Sequence, residues 1–577
     1  MNNKFINRFF TFLILFLFAT MFANAQALEI QNIYQHLNSA YPQYNQITFS
    51  KPTTNILTGN WLIQSPNIWG KQIAVYNKSF EPTGSNKIDP EFDMPTCKTN
   101  NDCQGYAICQ QPDYTLNIHK QKKSLCTTSA DQILQNIYSA ITSAQHSVDI
   151  TTLQPAHFFE SSFTTQAFTA TITNALIVLA EKTLKTHTPI QVRFIQGTYL
   201  PITENNSLKQ QQAELKQLAI SQNEYLKKLV SALPKGNKLE ISVASMRSCE
   251  SGVINCGNED QQHDPYLDFA WNHGKIIDID NHILITGGHN LWGQDYLQTN
   301  PVNDLSIEIS GPIATGATTY ANTIWNYVCR NKGILANLYE TYKDGKISET
   351  CLPNIDPTLD SHVKTQKIDD NSLSVSAMYV SKLNNNVLAD DADQSELARV
   401  YAFNNAQHII KISQQALFAK GVGDVVDRPI LHPLNTKDGT VMQALANAIY
   451  KHVSVYIVTS TLGGSGYSSN VSLEYIWKYL LNQLVTQHKI DSSTASSLLR
   501  TYLHLGDIAY NSAENEDKSH DKLWIVDDKL FYIGSHNIYP SSLQQFGIII
   551  ESAAATAAME QALWDPIWQY SHKYKPT

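Results

Sequence analysis

The chain has 577 residues, 42% of them hydrophobic and 16% charged, with a formal net charge of -9. That hydrophobic share excludes wholesale disorder and leaves room for one large bilobal domain or several ordinary ones. The acidic balance, with a pI near 6.0, excludes a general attraction to a nucleic-acid backbone, which would need a local basic groove instead.

The first residues read as a targeting segment. Lys4 and Arg8 lead into an almost wholly apolar run from Phe9 to Phe22, and Ala23-Asn24-Ala25 puts small residues where a signal peptidase reads them. Residues 1–25 are therefore expected to be a signal peptide, and the mature chain to be exported, secreted or periplasmic. The run is short for a membrane span. Residues 26–128 follow, rich in turn formers, and read as an N-terminal extension packed against a first lobe. They hold Cys97, Cys103, Cys109 and Cys126; the other cysteines are Cys249, Cys256, Cys329 and Cys351. An even set in an exported chain predicts disulfides. Proximity in sequence predicts Cys249–Cys256 and Cys329–Cys351, with the first four pairing among themselves in an order left open. Zinc is the alternative for those four, although they lack a close C-x-x-C pair.

An internal repeat organises the rest. Ala130-Asp131-Gln132 recurs as Ala392-Asp393-Gln394, and Ala144-Gln145-His146 as Ala406-Gln407-His408. Each copy reads as a helix running into a strand, Ser147 to Ile150 or Ile409 to Ile412. A second strand follows in each (Ile190 to Ile195, Val453 to Val458), then a polar helix near Ser207 to Leu233 or Val471 to Val485. Strands alternating with helices imply crossovers. The expected fold class is α/β: two pseudo-symmetric α/β lobes with mainly parallel sheets and a site between them. The lobes are placed at residues 129–335 and 392–577, with the polar stretch 336–391 as their connection.

Each lobe carries one copy of a motif. The first is His273-Gly274-Lys275, four residues, Asp280, six residues, then Gly287-Gly288-His289-Asn290. The second is His520-Asp521-Lys522, four residues, Asp527, six residues, then Gly534-Ser535-His536-Asn537. Both read as a strand, a turn at Asp280-Asn281 or Asp527-Asp528, and a returning strand. Period-two alternation puts His and Lys on one face. The small Gly-Gly or Gly-Ser lets backbone approach closely, and the Asn amide points in beside Lys. Two facing lobes would pair His, Lys and Asn around one anion. Lys and Asn suit the oxygens of a phosphodiester. Two imidazoles suit two-step transfer, one as nucleophile and the other as acid and base. The lysines supply the positive charge, so no metal or other cofactor is expected. Asp280 and Asp527 are expected to fix the turn or pair with neighbours. Structural roles are expected for His289 and His536, a turn position for His282, and capping or packing for His146 and His408.

These residues resemble the phospholipase D superfamily with its H-x-K-x4-D signature, and more closely its secreted bacterial, Streptomyces-type branch. The likeness runs from about Asp131 onward and is strongest from Trp271 to Lys332 and from Lys522 to Ser571. It implies hydrolysis of phosphatidylcholine-like lipids to phosphatidic acid and free head group, with transfer to another alcohol as a side reaction. It implies His273 as nucleophile and His520 as acid and base, with Lys275, Asn290, Lys522 and Asn537 binding phosphate. Trp292, Tyr296 and Tyr467 match aromatic positions of a head-group pocket, where a choline cation would sit over ring faces. Cys329 and Cys351 match a family disulfide. The family also places an acidic residue after each motif to hydrogen-bond a catalytic imidazole. Asp304 matches the first, but Gln545 stands where the second is expected, with Glu551 as a nearby substitute. The expected partner is a phospholipid at a membrane surface, with no nucleic acid and a monomeric chain. Two alternatives stay open: a superfamily nuclease acting on single strands, and a catalytically weakened lipid-binding relative.

Overall fold

The computed structural model describes residues 28–66, 69–70, 132–153, 163–198, 222–249, 269–296, 301–333, 337–356, 372–388, 392–420, 436–463, 467–510 and 518–576, with short pieces between 88 and 127 and at 217 and 430–431. The signal-peptide segment lies outside the described residues.

In chain order, helix α1 (Ile30–Ala40) leads to strands β1 (Thr53–Leu57) and β2 (Leu62–Ser65). The first lobe follows with α2 (Gln132–Ser143), β3 (Ser147–Leu153), α3 (Phe163–Thr186), β4 (Ile190–Gly197) and β5 (Leu239–Met246). It continues through β6 (Ile276–Ile279), β7 (Ile283–Gly287), β8 (Asp304–Ser310) and α4 (Ala314–Arg330). Strands β9 (Leu338–Lys343) and β10 (Leu373–Leu383) come next. The second lobe then has α5 (Gln394–Asn404), β11 (Ile409–Gln414), α6 (Val441–Tyr450), β12 (Ser454–Thr459), α7 (Leu473–His488), α8 (Ser492–Tyr502) and β13 (Leu503–Asp507). Strands β14 (Lys522–Val526), β15 (Leu530–Gly534) and β16 (Gln545–Glu551) complete it.

The architecture is α/β, and the two lobes repeat one strand order. In the first it runs β5-β4-β3-β6-β7-β8, and in the second β13-β12-β11-β14-β15-β16. Only the first three strands of each series are mutually parallel. The sheets are therefore mixed, not mainly parallel. Helical crossovers such as α3 and α6 force parallel pairing where they occur. The motif strands are instead joined by three-residue connections, 280–282 and 527–529. Asp280 and Asn281 have φ of 56° and 54°, and Asp527 and Asp528 have 54° and 50°. Two consecutive positive φ values are the signature of a tight hairpin turn, which forces antiparallel pairing.

The motif aspartates tie each hairpin to the repeated segment. Asp280 accepts backbone N–H bonds from Gln145, His146 and Ser147 at 2.8, 2.7 and 2.7 Å. Asp527 does the same for Gln407, His408 and Ile409 at 3.0, 2.8 and 3.2 Å. The recurring Ala-Gln-His triplet is thus the turn whose amides need that carboxylate.

The N-terminal segment is more deeply built in than an extension on the first lobe. Ile30, Ile33 and Leu37 of α1 are buried in the core of the second lobe. Strand β1 pairs along β10 from Thr53↔Ala377 to Leu57↔Leu373 and also touches β8 at Ile56↔Ser310, while β2 pairs with β8. β10 pairs with β16. The polar connection thus contains a core strand, and β1 and β10 stitch the two lobes into one sheet. Open edges of β8 and β16 explain this: unpaired backbone groups there need partners. A shared apolar core lies between the lobes, with Leu284, Leu305 and Ile307 from one side and Leu523, Phe531 and Phe546 from the other. Cys329 is bonded to Cys351 and Cys97 to Cys109. The pairing expected for Cys249 and Cys256, and the partners of Cys103 and Cys126, lie outside the described residues.

Replacing Asp280 or Asp527 by alanine strands three amide donors, and each substitution is expected to cost about 3 kcal/mol of unfolding free energy. Urea denaturation measures this; a loss below about 1 kcal/mol would show these carboxylates to be dispensable.

Candidate active site

The two motif histidines meet. Their ring centroids lie 6.1 Å apart at an interplanar angle of 82°, and both side chains are buried, His273 at 5% and His520 at 3% exposure. What brings them together is a pair of crossed backbone contacts. The His273 amide donates to Gln544 O at 2.9 Å, and the His520 amide donates to Asn303 O at 2.7 Å. Each acceptor directly precedes the first residue of β16 or β8, in the opposite lobe. The side chains that follow complete the crossing. His273 Nδ1 bonds Gln545 Oε1 at 2.9 Å, and His520 Nδ1 bonds Asp304 Oδ2 at 2.8 Å. Each lobe therefore orients the imidazole of the other.

Both partner oxygens are acceptors, so Nδ1 carries the proton in each ring and Nε2 is left for chemistry. Ser535 Oγ also donates to Gln545 Oε1 at 2.7 Å, which fixes that amide oxygen toward His273. Glu551 does not stand in for an acid there. Its carboxylate pairs with Lys529 at 2.5 Å and accepts the Ile30 amide at 3.2 Å, because it closes β16, six residues along the strand from Gln545.

The small residues act as expected of tight approaches. A Cβ on Gly288 would lie 2.0 Å from Asp304 Oδ1 and 3.0 Å from His520 O. A Cβ on Gly534 would lie 2.5 Å from the Gly547 Cα on the neighbouring strand.

Lys275 and Lys522 both turn back toward their own motifs: Lys275 Nζ donates to His273 O at 2.8 Å, and Lys522 Nζ donates to His520 O. Asn290 Nδ2 donates to the Tyr467 hydroxyl at 3.1 Å and Asn537 Nδ2 to the Tyr539 hydroxyl at 2.8 Å. Among the described residues, the buried Oδ1 atoms of both asparagines have no hydrogen-bond partner. In the second lobe Arg399, paired with Glu396, donates to His536 O at 3.3 Å and Asn537 O at 3.2 Å. Its position inside a helix gave no sequence signal for this. His289 Nδ1 bonds Ser306 Oγ at 2.8 Å, and His536 Nδ1 lies 3.9 Å from Asp393.

The aromatic positions divide. Tyr467 packs its ring 4.4 Å from that of His520 and 6.5 Å from that of Trp292, and its hydroxyl donates to Asp295 Oδ2 at 2.7 Å. Tyr296 sits deeper than Tyr467. It is 1% exposed, because the turn Gly293–Tyr296 carries it inward onto Phe168 and His289. Its hydroxyl donates to Asp304 Oδ2 at 2.9 Å and accepts the Asn290 amide at 2.9 Å.

Electrostatics follow from burial. Desolvation, then the Lys275 and Lys522 ammoniums, hold His273 well below the ordinary imidazole value. Burial and Lys522 bring His520 down to about 3 despite Asp304. Burial acts to raise Asp304, but His520, His289 and Lys522 outweigh it and keep the carboxyl ionised. Burial lowers Lys275 far below its usual value and Lys522 to about 7. At neutral pH the pocket therefore holds neutral imidazoles, the Asp304 carboxylate with Asp521 and Asp295 close by, and lysines whose charged form burial disfavours. An anion offsets that penalty by compensating the ammoniums. Among the described residues no group of three or more His, Cys, Asp or Glu is placed to hold a metal ion.

Sulfate, a dianion across the neutral range, provides the test. The Lys522 ammonium is present below about 7 and lost above it. Sulfate affinity by calorimetry is therefore expected to fall as pH rises through and above that value. Lys522→Met should weaken binding and flatten the profile; an unchanged profile would show that Lys522 does not face the anion.

No family model matches the chain. It is 27% identical over 490 residues to a phospholipase D of Streptomyces antibioticus, covering 77% of this chain and 78% of the relative. Among solved structures it is similar to phosphatidylserine synthase of Haemophilus influenzae Rd KW20, with TM-score 0.43, 13% identity, and coverage of 77% of this chain and 86% of that one. It is also similar to Nuc, a phospholipase D family member from Salmonella typhimurium, with TM-score 0.21, 17% identity, and coverage of 31% and 90%. These superpositions are loose, and the assignment rests on the sequence relationship together with the twin motifs. Two such motifs converging on one buried pocket, together with this relationship, support a member of the phospholipase D superfamily.

Proposed function

We propose that the protein is an exported phospholipase D that hydrolyses phosphatidylcholine-like glycerophospholipids to phosphatidic acid and free head group. The observation that carries this reading is the pair of buried imidazoles 6.1 Å apart, each with Nδ1 held by the opposite lobe. The relative from Streptomyces antibioticus, named a phospholipase D, supports the lipid substrate over other phosphodiesters. The aromatic wall of Trp292 and Tyr467 supports a cationic head group, whose charge would lie against ring faces. The disulfides Cys97–Cys109 and Cys329–Cys351 support export, since such bonds persist in oxidising compartments.

In this mechanism the diester anion settles among Lys275, Lys522, Asn290 and Asn537. Its negative charge offsets the Lys522 field on His520 and draws a proton onto that ring. His273 Nε2 attacks phosphorus. The bond to the head-group oxygen breaks, and His520 gives its proton to the departing alcohol. A phosphatidyl-histidine remains. Water then approaches, His520 takes its proton, the new P–O bond forms and the P–N bond breaks. An alcohol in place of water gives transphosphatidylation. The lysines and amides carry the charge of the five-coordinate phosphorus. The substrate is met at a membrane surface; no described helix is long and apolar enough to cross one.

His273→Ala and His520→Ala should each lower turnover of phosphatidylcholine vesicles by about 1,000-fold or more, with EDTA without effect on the wild type. Acid-quench trapping with labelled lipid should find phosphohistidine in the wild type and none in His273→Ala. Retained turnover in His273→Ala would overturn the assignment.

Gln545 predicts a second effect. A carboxylate at this position would raise the basicity of His273 and stabilise its cationic phosphorylated form better than an amide does. Gln545→Asp is expected to raise kcat by about tenfold; no gain in a purified assay would count against this role for position 545.

A further inference from the structure

We infer that Tyr296 is a positioning residue that couples the acid-base histidine to a phosphate-binding amide, not a wall of the head-group pocket. The inference rests on the activity proposed above. Its ground is connectivity. Tyr296 donates its one hydroxyl proton to Asp304 Oδ2 at 2.9 Å, the same oxygen that receives His520 Nδ1 at 2.8 Å. The same hydroxyl accepts the Asn290 amide at 2.9 Å. One phenol thus touches the carboxylate behind His520 and the backbone of the residue whose side-chain amide faces the anion site. The path closes on itself: Asn290 Nδ2 donates to Tyr467, whose ring packs against His520.

The physical consequence lies in how Asp304 shares its charge. A carboxylate oxygen that accepts two donors is less basic than one that accepts a single donor. Tyr296 therefore tempers the pull of Asp304 on His520 and keeps that ring ready to surrender its proton. It also satisfies the Asn290 amide, which holds the asparagine in register with the phosphate. Removing the hydroxyl alone leaves Asp304 more basic, and the His520 proton more tightly held.

Tyr296→Phe keeps the ring against Phe168 and His289 and deletes only the hydroxyl. On phosphatidylcholine and phosphatidylethanolamine vesicles its kcat should fall about tenfold. KM and the ratio of rates on the two lipids should stay within twofold, and the pH limb governed by His520 should move to higher pH. The low-field Nδ1 proton resonance of His520, assigned by its loss in His520→Ala, should move further downfield. Incorporating 3-fluorotyrosine at position 296, a stronger donor, should move it the other way. A changed lipid ratio with kcat retained would place Tyr296 in the head-group pocket and overturn the proposal. So would a His520 resonance that ignores both replacements. If the wild type turns over no phospholipid, the activity reading fails while the resonance still decides the role of Tyr296.

Discussion

The structure depends on the crossed pairing of each catalytic imidazole with the opposite lobe. A histidine on a strand end has a rotatable ring and two chemically distinct nitrogens. Neither the distance of 6.1 Å between the rings nor the tautomer would persist without an acceptor fixed behind each. Those acceptors are the first residues of β8 and β16, strands buried in the shared core, and a backbone bond one residue earlier fixes the approach of each histidine segment. Losing one partner of such a buried pair typically costs about 3–5 kcal/mol. Orientation and stability are thus coupled at this seam.

The pairing is symmetric in geometry and unequal in charge. His520 faces a carboxylate and His273 an amide. Asp304 stands at the seam with Lys275 and Lys522 beside it, and Asp521 and Asp295 lie buried close by. The amide at 545 therefore leaves the pocket more attractive to an anion than a carboxylate would, while giving less support to a cationic His273. In the proposed mechanism the amide would favour ground-state binding over stabilisation of the intermediate.

Much of this was legible in the chain, for identifiable reasons. The duplicated spacing around His273 and His520 announced two lobes and one site, because a hairpin with a short connection of fixed length needs fixed offsets. The sequence also contained the reason the sheets are mixed: Asp280-Asn281 and Asp527-Asp528 are turns of antiparallel pairs, whereas crossover helices spoke only for the first strands of each lobe. Other features are set by long-range contact and left no local trace. The crossing of Asp304 and Gln545 is a matter of how two sheets face each other. Thr53 to Leu57 reads as an unremarkable polar segment until two open strand edges claim it. Tyr296 and Tyr467 match positions of one aromatic pocket, and nothing in their identity distinguishes the one bonded to Asp304 from the one whose ring packs on His520. Arg399 looks like a helix-surface residue, yet it lies buried behind Asn537.

The stitching by β1 and β10 bears on how a substrate gets in. A clamshell that opened by swinging its halves apart would have to unzip β1 from β10, split an apolar core and break both imidazole contacts at once. On the proposed reading, a phosphodiester must therefore reach the paired imidazoles with the halves stationary.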